Sequence, residues 1–289
     1  MNETANQAKL CFYGAGSMAE ALLRGMTAAN LTAPSNITVM NRQNADRLHE
    51  LQRTYGVVPA PTEAAKQDAL RTADIILLSM KPKDSAEAIR ALKPLLRPDQ
   101  LLVSVIAGLS IDTIHQLLGN AQPVARTMPN TSSTIGLGAT GISFSDAANE
   151  SQRAFAIAMF EAVGLASVVE EPQIEAVNGV SGSGPAYVYY VMEAMIQAGV
   201  ELGLTEEAAK LLTAQTVKGA AEMVMSTGEN PGELRRKVTS PNGTTQAAIE
   251  TLDRYAFQEA MNKAIHRCAE RAREMGDAIR SEAVGSPSA

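Results

Sequence analysis

Apolar positions in the first half of the chain fall in short continuous runs, separated by stretches in which apolar and polar residues alternate at helical spacing. Residues 9–13 form one such run, ending at Gly14, and residues 37–40 form another. DIILLSM (74–80) and LLVSVI (101–106) are nearly free of polar residues, and 124–127 is a shorter run of the same kind. Runs without polar alternation fit strands buried on both faces of a parallel sheet. After the first run Met18, Leu22 and Met26 fall four apart, and helices are predicted over 45–55, 85–92 and 111–117. Strand and helix therefore alternate, which predicts an α/β, Rossmann-like, doubly wound sheet.

The pattern changes near Gly164. A last strand is predicted over 166–170, before Pro172, and then the strand signal ends. Helices are expected over 173–203, 206–227 and 244–280. The chain thus divides into a dinucleotide-binding domain (1–164) and an all-helical dimerisation and substrate domain (165–289). Residues 187–200 (YVYYVMEAMIQAGV) carry little polar surface, so that helix must bury itself in a core or against another subunit. Phe257, Met261, Ala264, Cys268, Ala272, Met275 and Ile279 recur at spacings of three and four and read as a packing stripe, and 281–289 reads as a frayed tail.

Composition narrows the function classes. A net charge of −6, 4% aromatics and no Trp leave neither a basic surface nor a stacking platform for nucleic acid. Two distant cysteines and three scattered histidines (His49, His115, His266) suggest no disulfide framework and no metal site. The longest apolar stretch, 101–111, is too short to span a bilayer, and MNETANQAKL at the start has no apolar run, so no membrane contact and a cytoplasmic location are expected.

The candidate chemistry begins at the first strand end. Gly14-Ala15-Gly16-Ser17-Met18-Ala19 follows a strand and opens a helix, a variant of the dinucleotide fingerprint. Gly14 permits the turn, Gly16 lets a pyrophosphate approach the backbone, and Ala19 allows helix and strand to pack closely. The helix N-terminus adds free N–H groups and partial positive charge. At the end of the second strand an NAD enzyme usually offers Asp or Glu to the ribose, whereas this chain has Asn41-Arg42, which suits a 2′-phosphate. NADPH is therefore the expected cofactor, with NADH a weaker second. Met80-Lys81-Pro82 and Ala107-Gly108 lie beyond two further strand ends, where open sheets bind ligands, and Asn130 follows a third.

Three later segments join these: Met128-Pro129-Asn130-Thr131, Val180-Ser181-Gly182-Ser183-Gly184-Pro185-Ala186-Tyr187, and Lys237-Val238-Thr239-Ser240-Pro241-Asn242-Gly243-Thr244-Thr245. With the glycine-rich start and Ser79-Met80-Lys81-Pro82, they resemble the pyrroline-5-carboxylate reductases, in family order from about residue 9 to 275. The last segment looks like that family's signature. One departure stands in it: Asn242 occupies the first position of a pair that is often Gly-Gly. Asn tolerates left-handed backbone better than other non-glycine residues, so the turn is expected to keep its shape.

The resemblance implies NADPH-dependent reduction of 1-pyrroline-5-carboxylate, a cyclic imine carrying a carboxylate, to L-proline. Ser240, Asn242, Gly243, Thr244 and Thr245 then form the substrate site. Pro241, Asn242 and Gly243 end one helix, and the N–H groups that open the next can hold a carboxylate. Thr245 matches the threonine that bonds the ring nitrogen, although a helix cap is the plain alternative for a Thr there. Thr244 is read as the cap. The small residues around Gly182 and Gly184 allow close approach of a ligand or another helix, with Pro185 bending or restarting the helix. Glu222 reads as a residue of a solvated helix face. The helical half has more apolar surface than it can hide, so a homodimer is expected, and the family often builds rings of dimers. Two other readings are a β-hydroxyacid dehydrogenase using one of Lys210, Lys218, Lys237 or Lys263, and a non-catalytic NADPH-binding sensor.

Overall fold

The computed structural model describes residues 7–284. Strands β1 (Leu10–Tyr13), β2 (Ile37–Met40), β3 (Val58–Pro59), β4 (Ile75–Leu78), β5 (Leu101–Ser104) and β6 (Val124–Met128) alternate with helices α1 (Ser17–Ala28), α2 (Ala45–Tyr55), α3 (Glu63–Thr72), α4 (Pro82–Leu92) and α5 (Ile111–Leu118). Then come β7 (Gly138–Phe144), α6 (Glu150–Glu161) and β8 (Gly164–Val168). The eight strands form one sheet in the order β3-β2-β1-β4-β5-β6-β7-β8. All neighbours run parallel except β6 and β7, which are antiparallel.

Alternation along the strands builds two cores. Phe12, Leu77, Val103 and Ala125 face one side with Leu22, Met26 and Phe160 of α1 and α6. Cys11, Ile76, Leu78 and Leu102 face the other with Ile89, Leu92 and Ile114 of α4 and α5. Both faces are covered along the central strands, so β1 (LCFY) and β4 (IILL) are apolar throughout, as the sequence pattern predicted. Burial pushes the Cys11 thiol up to about 12, which keeps it protonated and inert inside the second core. Arg126 of β6 is also buried, paired with Glu171 (3.2 Å) and Glu175 (2.6 Å).

The unit built on this sheet runs past the expected boundary at 164. It extends to Ser183 and takes in the chain from Arg267 onward. β8 pairs with β7 through Gly138↔Gly164 to Ile142↔Val168, and so belongs to the sheet. The helix expected over 173–203 is interrupted: α7 (Ile174–Val177) passes into a π turn, Asn178–Gly182, and α8 (Gly184–Glu201) begins afresh with Pro185 as its second residue. The restart at Pro185 was expected, since Pro lacks the N–H that an interior helical position needs.

The second unit, Gly184–His266, is helical: α8, α9 (Glu206–Thr227), α10 (Pro231–Lys237), α11 (Thr244–Arg254) and the start of α12 (Phe257–Val284). The helix expected over 244–280 is broken at Tyr255–Ala256, where Ala256 takes a left-handed φ of 52°. Of residues 184–266 only Ala209 and Thr213 are buried, while Tyr190, Leu202, Leu211 and Met225 are exposed. The apolar stripe expected on the last helix holds in part, since Ala272 and Ile279 are buried and Ala264 is exposed. α12 continues through Val284 where a frayed tail was expected, and residues 285–289 of that tail lie outside the described residues, as do 1–6 of the N-terminal segment. Among the described residues no helix is long and apolar enough to cross a membrane, and no cluster of His, Cys, Asp or Glu could hold a metal.

Candidate active site

The strand ends of β1, β2 and β4 open onto a cavity of about 400 Å³, lined in part by Tyr13, Gly14, Met40, Asn41, Arg42 and Met80. It lies where an open parallel sheet receives a nucleotide, beyond the carboxyl ends of the strands on either side of the first one. Gly14 has φ +126°, and a Cβ there would sit 2.5 Å from the Ser79 Oγ, so this glycine is required by the neighbouring strand end as well as by the turn. Gly16 is different, because a Cβ there would meet nothing within 4 Å. It is the N-cap of α1, and no side chain caps that helix. An anion approaching Gly16 would find room and unpaired N–H groups together, so the residues present fit a dinucleotide pyrophosphate. Ala19 is fully buried against the sheet, as expected of the third fingerprint position.

At the end of β2 the two residues read as phosphate ligands behave differently. Arg42 is largely exposed, and its guanidinium lies 3.6 Å from the Asp84 carboxylate. Such an ion pair is weak in water and leaves the Arg42 head available to a dianionic phosphate. Asn41 is engaged within its own loop: its Nδ2 donates to the Asn44 carbonyl (2.6 Å) and its Oδ1 accepts from the Asn44 N–H (3.0 Å). Asn44 in turn caps α2 by accepting from Arg47 N. The Tyr13 phenol beside the cavity is pushed above its usual range by burial and then by Glu63, so it stays neutral.

Lys81 is exposed at the N-cap of α4, with Pro82 as its first helical residue, while Met80 lines the cavity. Ala107 and Gly108 follow β5. A Cβ on Gly108 (φ +80°) would fall 2.9 Å from the Gly276 backbone N, so α12 packs directly on this turn and accounts for the glycine without a ligand. Asn130 is buried and uses both ends of its amide within the protein, Nδ2 donating to the Ser181 carbonyl (3.0 Å) and Oδ1 accepting from Ala139 N (3.3 Å). It ties the end of β6 to the π turn. At that turn the Cys268 thiol lies 3.1 Å from the Ser183 hydroxyl.

In the helical unit the signature segment forms a turn and a helix start. Gly243 N donates to the Ser240 carbonyl (3.0 Å), and Asn242 adopts φ 59°. The left-handed conformation expected of that Asn is therefore present. Thr244 does not cap α11, contrary to expectation: Gly243 is the N-cap, and Thr244 and Thr245 are its first two helical residues. No side chain caps the helix, because the residue at the cap position has none, and Gln246 instead reaches back to accept from Asn242 N (2.7 Å). Among the described residues no protein group pairs with the half-buried Thr245 hydroxyl. Glu222 is exposed and bonded to Ser226, the solvated helix face expected of it. The lysines of the alternative dehydrogenase reading are all exposed, and Lys237 and Lys263 are paired with Glu229 and Glu259.

A further set of side chains, unnoticed in the sequence, stands behind the glycine-rich turn. Arg47 of α2 donates through Nε to the Ala15 carbonyl (3.2 Å), through Nη1 to Glu50 (2.8 Å) and through Nη2 to Glu20 of α1, whose other oxygen accepts from the Tyr55 hydroxyl (3.1 Å). The Arg47 bond holds the Glu20 carboxyl below its usual range. Apart from the i,i+3 pair with Glu50, these contacts join residues 27 to 35 positions apart, so no local spacing signals them.

Two family models match the chain: one described as NADP oxidoreductase, coenzyme F420-dependent, over residues 9–108, and one described as pyrroline-5-carboxylate reductase dimerisation, over 171–275. The chain is 42% identical over 279 residues to pyrroline-5-carboxylate reductase 1 of Bacillus spizizenii, covering 96% of this chain and 93% of that one. Its structure resembles that of a pyrroline-5-carboxylate reductase from Coxiella burnetii, with a TM-score of 0.86, 36% identity, and coverage of 93% of this chain and 99% of that one. It also resembles the Plasmodium falciparum pyrroline carboxylate reductase solved with NADP bound, with a TM-score of 0.83, 27% identity, and coverage of 94% and 99%. With this likeness running through both the sheet unit and the helical unit, the chain belongs to the pyrroline-5-carboxylate reductase family.

Proposed function

We infer that the chain reduces 1-pyrroline-5-carboxylate to L-proline with NADPH. The observation that carries this reading is the likeness along almost the whole chain, 42% identity over 96% of its length. When bound, NADPH supplies the hydride that the imine carbon receives. The uncapped start of α1 and the open space at Gly16 receive the pyrophosphate, and Ser17 and Met18 lie in the first turn that contributes the N–H groups. Arg42 pairs with the 2′-phosphate, while Asn41 shapes the loop that presents it. Met80, Lys81, Pro82, Ala107, Gly108 and Asn130 shape the rest of the cofactor site from their strand ends.

In the helical unit, Ser240, Asn242 and Gly243 shape the turn that leads into α11, where the free N–H groups of Thr244 and Thr245 hold the substrate carboxylate. The Thr245 hydroxyl bonds the ring nitrogen and keeps its proton in place. A protonated imine is already electrophilic, so positioning accounts for much of the catalysis, on the order of 7–11 kcal/mol in well-oriented systems. The protein works in the cytoplasm as a homodimer through its helices, and rings of such dimers are the higher assembly that the resemblance implies.

The test follows NADPH absorbance after addition of racemic 1-pyrroline-5-carboxylate, with NADH in parallel. Oxidation faster with NADPH, and L-proline as product, is expected. A folded protein that binds NADPH and oxidises it with no cyclic imine would overturn the reading.

A further inference from the structure

We propose that Arg47 is a positioning residue for the cofactor: it fixes the Ala15–Gly16 peptide so that the Gly16 N–H is presented to the pyrophosphate. The inference rests on the nucleotide reading above and deepens it.

The argument starts from the peptide plane. In a trans peptide the carbonyl and the N–H point in opposite directions, and the described chain has no cis peptide bond. Arg47 Nε holds the Ala15 carbonyl at 3.2 Å from the α2 side. The N–H of the same peptide, on Gly16, must therefore point away from α2. Among the described residues no protein acceptor meets it, and a Cβ at Gly16 would meet nothing within 4 Å. One face of this peptide is thus tied down and the other is left open to an anion.

A glycine-bearing turn needs such a tie. Gly16 has no side chain to limit rotation of the preceding peptide, and a flip would turn a carbonyl oxygen toward the phosphates where a donor is needed. Arg47 is held in turn by Glu20 of α1 and Glu50 of α2, and Tyr55 holds Glu20. The guanidinium has five N–H donors in a rigid fork, which lets one side chain bond two carboxylates and a carbonyl at once. Its charge is met by two carboxylates, so its contribution is orientation rather than attraction of the phosphates. The Asn44 cap that places Arg47 also accepts the Asn41 loop, so the backbone beside Arg42 and the turn at Gly16 are set by one helix.

Orientation and charge predict different patterns. Arg42 meets a group that only NADPH carries, whereas the pyrophosphate is common to NADPH and NADH. Arg47→Met should raise the KM for both cofactors by the same factor, roughly tenfold for one lost charge-assisted bond, with kcat and the KM for the imine nearly unchanged. Arg42→Ala should raise the KM for NADPH alone. Arg47→Lys keeps the charge but loses the fork, so it should restore thermal stability without restoring either KM. Glu50→Gln leaves the Ala15 contact in place and should leave both KM values as they are.

The experiment is steady-state kinetics on the full-length variants with each cofactor, with Tm measured in parallel and NADPH binding followed by fluorescence titration. Equal KM increases with NADPH and NADH, persisting in a stable Arg47→Lys protein, are expected. Unchanged KM values in Arg47→Met, an effect on NADPH alone, or full rescue by Lys would overturn the proposal. Wild-type protein that binds neither nucleotide would instead overturn the cofactor reading itself, so the two failures are distinguishable.

Discussion

The sheet unit and the helical unit solve the problem of burial in opposite ways. In the first, the central strands are apolar and covered on both faces by helices, and Phe12, Leu77, Phe160 and Ile76 lose all or nearly all contact with water. In the second, 83 residues from Gly184 to His266 bury only Ala209 and Thr213, and Tyr190, Leu211 and Met225 lie open. A helical segment that buries so little within one chain cannot offset its own conformational entropy, so its stability must come from another chain. The match of residues 171–275 to a dimerisation model gives the same answer. One unit carries its own core, and the other completes its core by association.

The sharpest way to break this contrast is to charge the open helical face. Leu211→Glu with Met225→Glu should dissociate the assembly and unfold the helical unit, seen by sedimentation equilibrium. In the unaltered protein Tm should rise with concentration, as linked association requires. A concentration-independent Tm and a monomer that keeps full helicity would contradict it. Next in size is the internal core: Phe160→Ala should lower stability by about 3–5 kcal/mol in denaturant titration without changing the oligomer. Smaller again is Thr245→Ala, expected to lower kcat by more than about tenfold while Tm stays within a degree or so, because the role proposed for it is one hydroxyl contact to substrate. Near-normal turnover would remove Thr245 from the mechanism.

The smallest effect is a pH dependence behind the glycine-rich turn. Glu20 is held below its usual carboxyl value of 4.5 by the Arg47 hydrogen bond. Its stabilisation is therefore present above pH 4.5 and is lost as pH falls through the lower folded value. Glu20→Gln should lower Tm slightly at neutral pH, and the gap to the unaltered protein should close in acid. A gap that widens in acid would show that Glu20 is not held ionised by Arg47.

The sequence carried the parts of this fold whose residues are buried on both sides. β2 and α2 end where expected, because continuous apolar runs and an Asn-to-Gly helix frame leave little choice. Four elements of the sheet unit went unread. β3 has two residues, α3 is mostly polar, α6 has a diffuse apolar face, and β7 (GATGISF) contains two glycines and little bulk. Pro185 marked the restart of α8, but the π turn at 178–182 before it and the break at Ala256 left no local mark, since a π turn and a left-handed Ala are imposed by packing rather than propensity. At the site, the glycine-rich start was legible from backbone needs, and the left-handed Asn242 from the family resemblance, in which a glycine often stands there. Gly108 took its glycine from the approach of Gly276, and Arg47 took its place from a contact with Ala15, both distant in sequence.

The last helix has a consequence for how the protein is made. The nucleotide-binding unit includes the chain up to Ser183 and again from Arg267, so its second piece leaves the ribosome only after the helical segment 184–266. The Gly276 backbone that packs on Gly108 arrives only after the entire helical insertion has been synthesised. During translation the sheet therefore waits with its Gly108 turn uncovered, and the assembling helices emerge before the unit they follow is closed. A nascent chain stalled before Arg267 would hold an unfinished nucleotide unit beside a helical segment already ready to find a second copy.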